Sequence, residues 1–560
     1  MTQTTDISGQ VSELLALARQ FWETAKLDEA EDILVTLNQV APDQAAILRL
    51  LGLVAAAKGA YGPGAEALSV AAALQPADAL LLNALSVCFF RLDRAEEALQ
   101  AADRALALNG NFLDAWNSRG LALTRLGRSA EARAAFEHAL TLAPFDAALY
   151  VNLAGALQAL GLPDEALDGL DRAVALDAAL PDAHLNRGNA LRDLGRPAEA
   201  LDAYDRAVAL APRLAAAHSS RGNLLFQLKR FGEAIASYGA ALAIEPGLAA
   251  IQVNRGHCHL MLGQFAEGWR DFEARWAVPG ALGPGRPLSM PRWRGEDLEG
   301  RAILLHCEQG MGDSLQFIRY AAAVKARGAH VVLESFQALA PLLRHADGVD
   351  QVIIRSDPLP ALDFHLPLMS LPLVLGLAQP LAAAEPYLRV PAEEVAQWRQ
   401  RLGAGDRLRI GLAVSGNPKN SNDEARSAPL AALAAALPAG PDYVLLQKEI
   451  READRGTLQA RPDIQVLGEA LSSFLDTAAI CQAMDLVISV DTSLAHLAGG
   501  LGRRVWVLLS DAADWRWSPI VGTKAWYPSA EVYRQQIAGS WSEPLAQLRR
   551  DLAALASARG

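Results

Sequence analysis

Two glycine-bearing stretches of this 560-residue chain combine residue types suited to chemistry at an anionic or hydroxyl-bearing substrate. In AILLHCEQGMGDSLQFIRY, residues 302–320, an apolar run enters Gly310-Met311-Gly312-Asp313 and then a helical pattern. The glycines permit a tight turn and close backbone approach to a ligand, and a helix start favours anions. Asp313 suits either a helix cap or a general base. The third glycine and the later acidic residue of a dinucleotide fingerprint are missing, as is the Lys-Ser/Thr of a P-loop. In DLVISVDTSLAHLAGGLGRRVWVLL, residues 485–509, a buried strand ends at Asp491-Thr492-Ser493 and then gives way to a helix. The Thr492 and Ser493 hydroxyls, with free helix N–H groups, can cradle a diphosphate. His496 lies one turn in, either at that site or as a core histidine, and Gly499, Gly500 and Gly502 end the helix and allow close packing.

Three further segments could serve the same chemistry. The polar loop SGNPKNSNDEARSAPL, residues 415–430, carries Ser415 and Asn417, with Lys419 and Arg426 as cations for phosphate and Glu424 opposing them. LLQKE ends a strand at Gln447 and Lys448. DWRW at 514–517 and AWY at 525–527 put Arg516 and aromatic rings after a strand, to stack on a base or to pack between lobes.

The elements that must hold these residues can be read from the pattern. AILLH, HVVLES, VDQVII and DFHLPL read as strands of one parallel sheet, and RIGLAVS, DYVLLQ, IQVLG, DLVISV and VWVLLS as a second. Two successive doubly wound units, 302–391 and 392–560, make a two-lobed α/β protein whose ligands sit beyond the strands' carboxyl ends. The pattern alone also fits an epimerase or a two-lobed binding protein.

The N-terminal half repeats itself. WNSRGLALTRLGRSAEARAAFEHALTLAP, from Trp116, has the Gly, Ala, Phe and Pro spacings of a tetratricopeptide repeat, and the pattern keeps a 34-residue step. Eight units start at Val11, Ala45, Ala79, Leu113, Ala147, Pro181, Ala215 and Ala249, giving an α-solenoid over 11–276. Each unit is two antiparallel helices that bury their apolar faces only by stacking on neighbours. Asn152, Asn186 and Asn254 share one phase, and Asn189 and Asn223 another. Such amides can bind a peptide backbone without reading its sequence, and the row resembles the ladder of O-GlcNAc transferases. Arg119, Arg187, Arg221 and Arg255 also share a phase and read as solvated or inter-repeat pairs. Trp269, Trp276 and Trp293 flank the array's end and predict docking onto the next domain, through an ordered Pro/Gly-rich linker at 277–301.

A formal charge of −12 argues against nucleic-acid partners. Cys88, Cys258, Cys307 and Cys481 are far apart and have no zinc spacing, as in a reduced compartment. The N-terminus lacks a signal pattern, and four prolines interrupt the most apolar run, 366–387, so no membrane span is expected. A soluble cytoplasmic protein is the expectation.

The set EQGMGDSLQFIRY, SGNP…ARSAPL, LLQKE, VDTSLAHLAGGLG…VWVLL and DWRW resembles bacterial repeat-plus-glycosyltransferase proteins. The resemblance covers roughly 265–540, and the catalytic half is similar to heptosyltransferases of glycosyltransferase family 9. It implies a GT-B enzyme with no cofactor and no obligatory metal, in keeping with the lack of an Asp-x-Asp motif in the lobes. The substrate would be a nucleotide-sugar. Asp313 then matches the acceptor-side base, in the loop with Gly310 and Gly312. Asp491, Thr492, Ser493 and His496 match the donor-diphosphate element. Ser415 and Asn417 match the donor loop, and Arg426 is the candidate phosphate cation, with Gln447 and Lys448 on the donor side. Val414 stands where relatives often have Trp, Asn420 where His is frequent and Glu424 where Arg is frequent, which implies another sugar nucleotide or weakened catalysis. The implied acceptor is a protein held by the repeats, such as a flagellin-like surface protein. A glycan or lipid acceptor, and a non-catalytic scaffold, are the alternatives.

Overall fold

The 34-residue step becomes a succession of helix pairs. The computed structural model describes residues 7–280, 286–381, 385–403, 405–418 and 423–558, so Lys419 and Asn420 lie outside the described residues. After an opening pair, Ile7–Glu23 and Leu27–Val40, first helices begin at Ala45, Ala79, Leu113, Ala147, Pro181, Ala215 and Ala249. Their partners begin at Tyr61, Ala95, Ser129, Pro163, Pro197, Phe231 and Phe265. Glycines in the first helices seat large residues of the second. A Cβ at Gly188 would lie 2.5 Å from the Tyr204 ring, and one at Gly120 would overlap Phe136. The turn after the first helix needs a left-handed residue, supplied by Gly59, Gly127, Gly161, Gly195 and Gly263 but by Ala25, Asp93 and Lys229 in the other units. The arginine row forms pairs to aspartates. Arg119–Asp103 (2.8 Å), Arg187–Asp171 (2.6 Å) and Arg221–Asp205 (2.5 Å) tie a first helix to the preceding unit, and Arg255–Asp271 (2.6 Å) ties the last pair internally.

The chain forms two compact units, Met1–Leu224 and Leu225–Gly560. The division falls inside the helical array and not at its end near residue 276. The aromatic residues of the last pair explain why. Trp269, of Phe265–Phe272, is 2% exposed and shares one core with Ile303, Leu333, Val487 and Val507 of both sheets. Its ring meets Phe317 at 5.9 Å and Trp515 at 5.4 Å. Trp293 is fully buried and its backbone N–H bonds the His365 carbonyl, so this part of the linker is ordered, while residues 281–285 lie outside the described residues. Trp276 remains 42% exposed.

The first sheet contains β1 (Ala302–His306), β2 (His330–Ser335), β3 (Gln351–Ile354) and β4 (Phe364–Pro367), parallel in the order β3-β2-β1-β4. The second contains β5 (Arg409–Ala413), β6 (Asp442–Leu445), β7 (Ile464–Val466), β8 (Leu486–Val490), β9 (Val505–Leu509) and β10 (Ala530–Arg534), parallel in the order β10-β9-β8-β5-β6-β7. Only β10, an edge strand of mixed polarity, was not foreseen from the sequence. Both sheets are buried on two faces, as parallel sheets require. Ile303 and Leu305 join the main core while Leu304 packs on the other side with Val332 and Ile353. Val505 and Val507 likewise face the main core while Trp506 and Leu508 face a separate one. Strand order reverses between β1 and β4 and between β5 and β8, the places where α/β sheets open crevices. Among the described residues no helix is long and apolar enough to cross a membrane.

Candidate functional site

Both glycine-bearing stretches leave strands at those reversal points. The chain after β1 turns through Gly310 into the helix Met311–Phe317, and the chain after β8 turns through Asp491 and Thr492 into Ser493–Gly500. The two helix starts abut because Gly312 has no side chain. A Cβ there would sit 3.0 Å from His496 Cδ2 and 3.6 Å from Ser493 Cα. Between them lies a cavity of about 580 Å³, lined from the first lobe by Gly310, Gly312 and Asp313 and from the second by Asn417, Arg426, Asp491, Thr492, Ser493 and His496.

Asp313 stands third in its helix. Its Oδ2 accepts the Gly310 N–H at 2.8 Å, completing the cap, and its Oδ1 accepts from Arg516 at 2.5 Å. Arg516 also donates to Asp514 (2.8 Å) and to Gln316 Oε1 (2.6 Å). Burial alone would raise the Asp514 carboxyl, but Arg516 holds it below its ordinary value. Asp491 has the opposite balance. Burial, and then the Asp514 carboxylate, push it up to about 6 against the Trp517 indole N–H (2.7 Å to Oδ1), Arg516 and Arg426.

Thr492 is the N-cap of Ser493–Gly500 but makes no side-chain cap bond, since its hydroxyl meets Ser489 Oγ at 3.1 Å. The first-turn N–H groups of this helix therefore lack a side-chain cap. His496 Nδ1 lies 3.0 Å from the Tyr527 hydroxyl, and its ring stacks on Trp517 at 5.6 Å. Burial, with Arg516 adding to it, drives its pKa down to about 3, so it is a neutral wall residue. Gly499 and Gly500 let Tyr527 and Leu388 approach this helix closely.

Arg426 is anchored by Asp423 (3.4 Å) and donates to the Asp491 carbonyl (3.3 Å). Asp423 is buried and also takes the Gly416 N–H (3.2 Å) and Arg451. Three expected residues do not line the cavity. Ser415 is half-buried beside it, Gln447 braces the loop by accepting the Val414 N–H at 3.0 Å, and Lys448 is exposed. Glu424 is exposed too. Sequence reasoning gave no role to Asp423 or Asp514, and took Trp517 only as one of the DWRW rings and not as the Asp491 partner. Asp514 could have been found, because an Asp two residues before Arg516 on a short turn is in reach of its guanidinium. Trp515, Trp517, Trp526 and Tyr527 are all buried, so the DWRW and AWY aromatics pack between lobes.

In the repeats, Asn152 Nδ2 donates to Asn117 at 2.9 Å, and the backbone carbonyl of Asn186 accepts from Gln158 Nε2 at 3.1 Å. Asn189 accepts the Tyr204 hydroxyl at 2.8 Å, which fixes the ring seated against Gly188. Asn254 bonds the Tyr238 hydroxyl, and Asn223 is half-buried. Among the described residues no group of three or more His, Cys, Asp or Glu side chains could hold a metal ion.

Protein FlbA of Caulobacter vibrioides is 25% identical over 319 residues, covering 51% of this chain and 52% of that protein. The chain thus spans about half the length of the curated relative it matches. A tetratricopeptide repeat protein structure from Parabacteroides merdae is 17% identical, with a TM-score of 0.39, and covers 44% of this chain and 97% of its own. A thermophilic tetratricopeptide-repeat protein of Thermus thermophilus is 24% identical with a TM-score of 0.31, covering 33% and 100%. The tetratricopeptide repeat family matches residues 89–147, 145–213 and 185–249. The N-terminal part of this chain is a tetratricopeptide-repeat solenoid, a fold that serves as a protein-interaction scaffold.

Proposed function

We propose that the C-terminal region is a GT-B glycosyltransferase that moves a sugar from a nucleotide-sugar to an acceptor hydroxyl. One observation carries the reading: Asp313 of one lobe and the uncapped start of Ser493–Gly500 in the other line the same cavity. In this reading the donor diphosphate lies against that helix start and Arg426, where partial positive charge and a guanidinium meet it. The acceptor oxygen attacks the anomeric carbon, its proton passes to Asp313, and the bond from that carbon to the phosphate oxygen breaks. The nucleoside diphosphate leaves with the electron pair, stabilised by the same cations. No metal is assigned a part. The acceptor is a protein recruited by the repeats, of the flagellin-like surface class, with Asn152, Asn186, Asn189, Asn223 and Asn254 as the candidate peptide-binding residues and the reaction in the cytoplasm.

A non-catalytic scaffold is the competing reading, favoured by the internal hydrogen bonds that both Asp313 oxygens already make. Incubation with a panel of nucleotide-sugars decides between them. Calorimetric binding of one, release of its nucleoside diphosphate and a matching mass increment on an acceptor are expected. If every donor fails to bind, the scaffold reading stands. A sugar found on a glycan or lipid and never on protein would reassign the acceptor.

A further inference from the structure

A second cavity of about 1110 Å³ adjoins the candidate site and shares Arg426, Asp491 and Asp514 with it. One wall comes from the last repeats, through Phe226, Phe231, Met261 and Leu262. The other comes from the segment after β9, through Trp515 and Ile520. All of these residues belong to the compact unit 225–560. Ile520 is 61% exposed although it sits on an apolar wall.

Charged groups on the outer part of this lining already have partners. Lys229 meets Asp511 at 3.0 Å, Arg230 meets Glu233 at 2.6 Å, and Arg534 donates to the Trp517 carbonyl. Lys229 holds its pair from a left-handed backbone position (φ 60°), where most of the other repeats place glycine. Both cavities reach Arg426, but only the smaller one is lined by the start of Ser493–Gly500, so it is the better fit for a diphosphate. A neutral chain with apolar side chains would cover the aromatic and aliphatic wall and leave the pairs intact.

We infer that this second cavity receives an extended polypeptide segment in which apolar residues flank a hydroxyl side chain, and delivers that hydroxyl to the shared edge at Asp491. The inference rests on the sugar-transfer reading for the hydroxyl's fate, but not for the binding itself. The repeats support a polypeptide occupant, because one wall is made from elements of a protein-interaction fold.

The test uses the full chain and a fluorescein-labelled synthetic peptide with one Ser between Leu and Val residues, read by anisotropy. Ile520→Glu is expected to weaken binding by about tenfold or more, the equivalent of losing one buried aliphatic side chain. Ile537→Glu, at a position 72% exposed and off this wall, should leave binding unchanged, and melting curves check that both variants fold. A photo-crosslinking form of the peptide should label 226–233 or 510–520. Equal binding by Ile520→Glu, or labelling confined to residues 7–224, overturns the inference. The two readings fail separately. Peptide bound at this wall without turnover of any nucleotide-sugar sinks sugar transfer alone. Turnover with an insensitive Ile520 sinks the cavity's role alone.

Discussion

Asp313 and His496 line one cavity but call for different tests. Asp313 is held by two donors of known geometry, so Asp313→Asn keeps an acceptor for the Gly310 N–H while removing the ability to take a proton. Transfer by this variant should fall roughly 10²–10⁴-fold, measured by nucleoside diphosphate release on protein shown by calorimetry to be folded, and its melting temperature should fall as well, because the amide's single oxygen cannot replace both carboxylate oxygens that meet the Gly310 N–H and Arg516; unchanged turnover would remove Asp313 from the mechanism. His496 carries a pH signature. Its pKa is about 3 in the folded chain, against about 6.5 unfolded. The unfolded state therefore binds the extra proton first. The stability due to neutral His496 is fully present above pH 6.5 and is lost as pH falls toward 3. His306, also lowered to about 3 by burial and His365, acts in the same direction. Urea unfolding at pH 7 and pH 5 should show a smaller acid loss in His496→Gln than in the parent, by up to about 2 kcal/mol. Identical losses would mean that the ring is not held neutral.

Helices of this protein meet through missing side chains. Gly188 faces Tyr204 inside one repeat, and Gly312 faces His496 between the two helix starts of the cavity. Gly188→Ala must displace a ring that is fixed at its hydroxyl by Asn189, so it should destabilise by about 1–3 kcal/mol despite alanine's better helix propensity. Chemical denaturation checks this, and a more stable variant would show that the ring relaxes freely. The same physics separates the two phases of glycine in the repeats. One phase is small for packing, while the other, including Gly127 and Gly195, is left-handed for the turn.

Across the whole molecule, the compact unit that holds the candidate site includes the last repeats. Phe265, Trp269 and Phe272 are each 4% exposed or less and lie in the core shared with both sheets. A fragment 225–560 should unfold cooperatively on its own. A fragment 277–560 loses those three aromatic residues and should lack a cooperative transition, or melt far lower, by calorimetry. In the intact chain, Trp269→Ala should cost about 3–5 kcal/mol. Cooperative melting of 277–560 at the same temperature as 225–560 would put the boundary at the end of the helical array instead.

The repeat phases, nine of the ten strands among the described residues and both helix starts were legible from residue types and spacing, because local periodicity reports which face of an element is buried. The shared phase of Arg119, Arg187 and Arg221 was legible too, but spacing left them as solvated residues or inter-repeat pairs, and the structure supplied Asp103, Asp171 and Asp205 as their partners. Spacing along the chain could not reveal what long-range packing decided. Arg516 reaches Asp313 from about 200 residues away, Asp423 anchors Arg426, and Lys448 points to solvent although its strand ends near the cavity. Charge pairing and exposure depend on which loops meet at a crevice, and that is set by sheet order and by the aromatic core joining repeats to lobes, neither of which leaves a local period in the sequence.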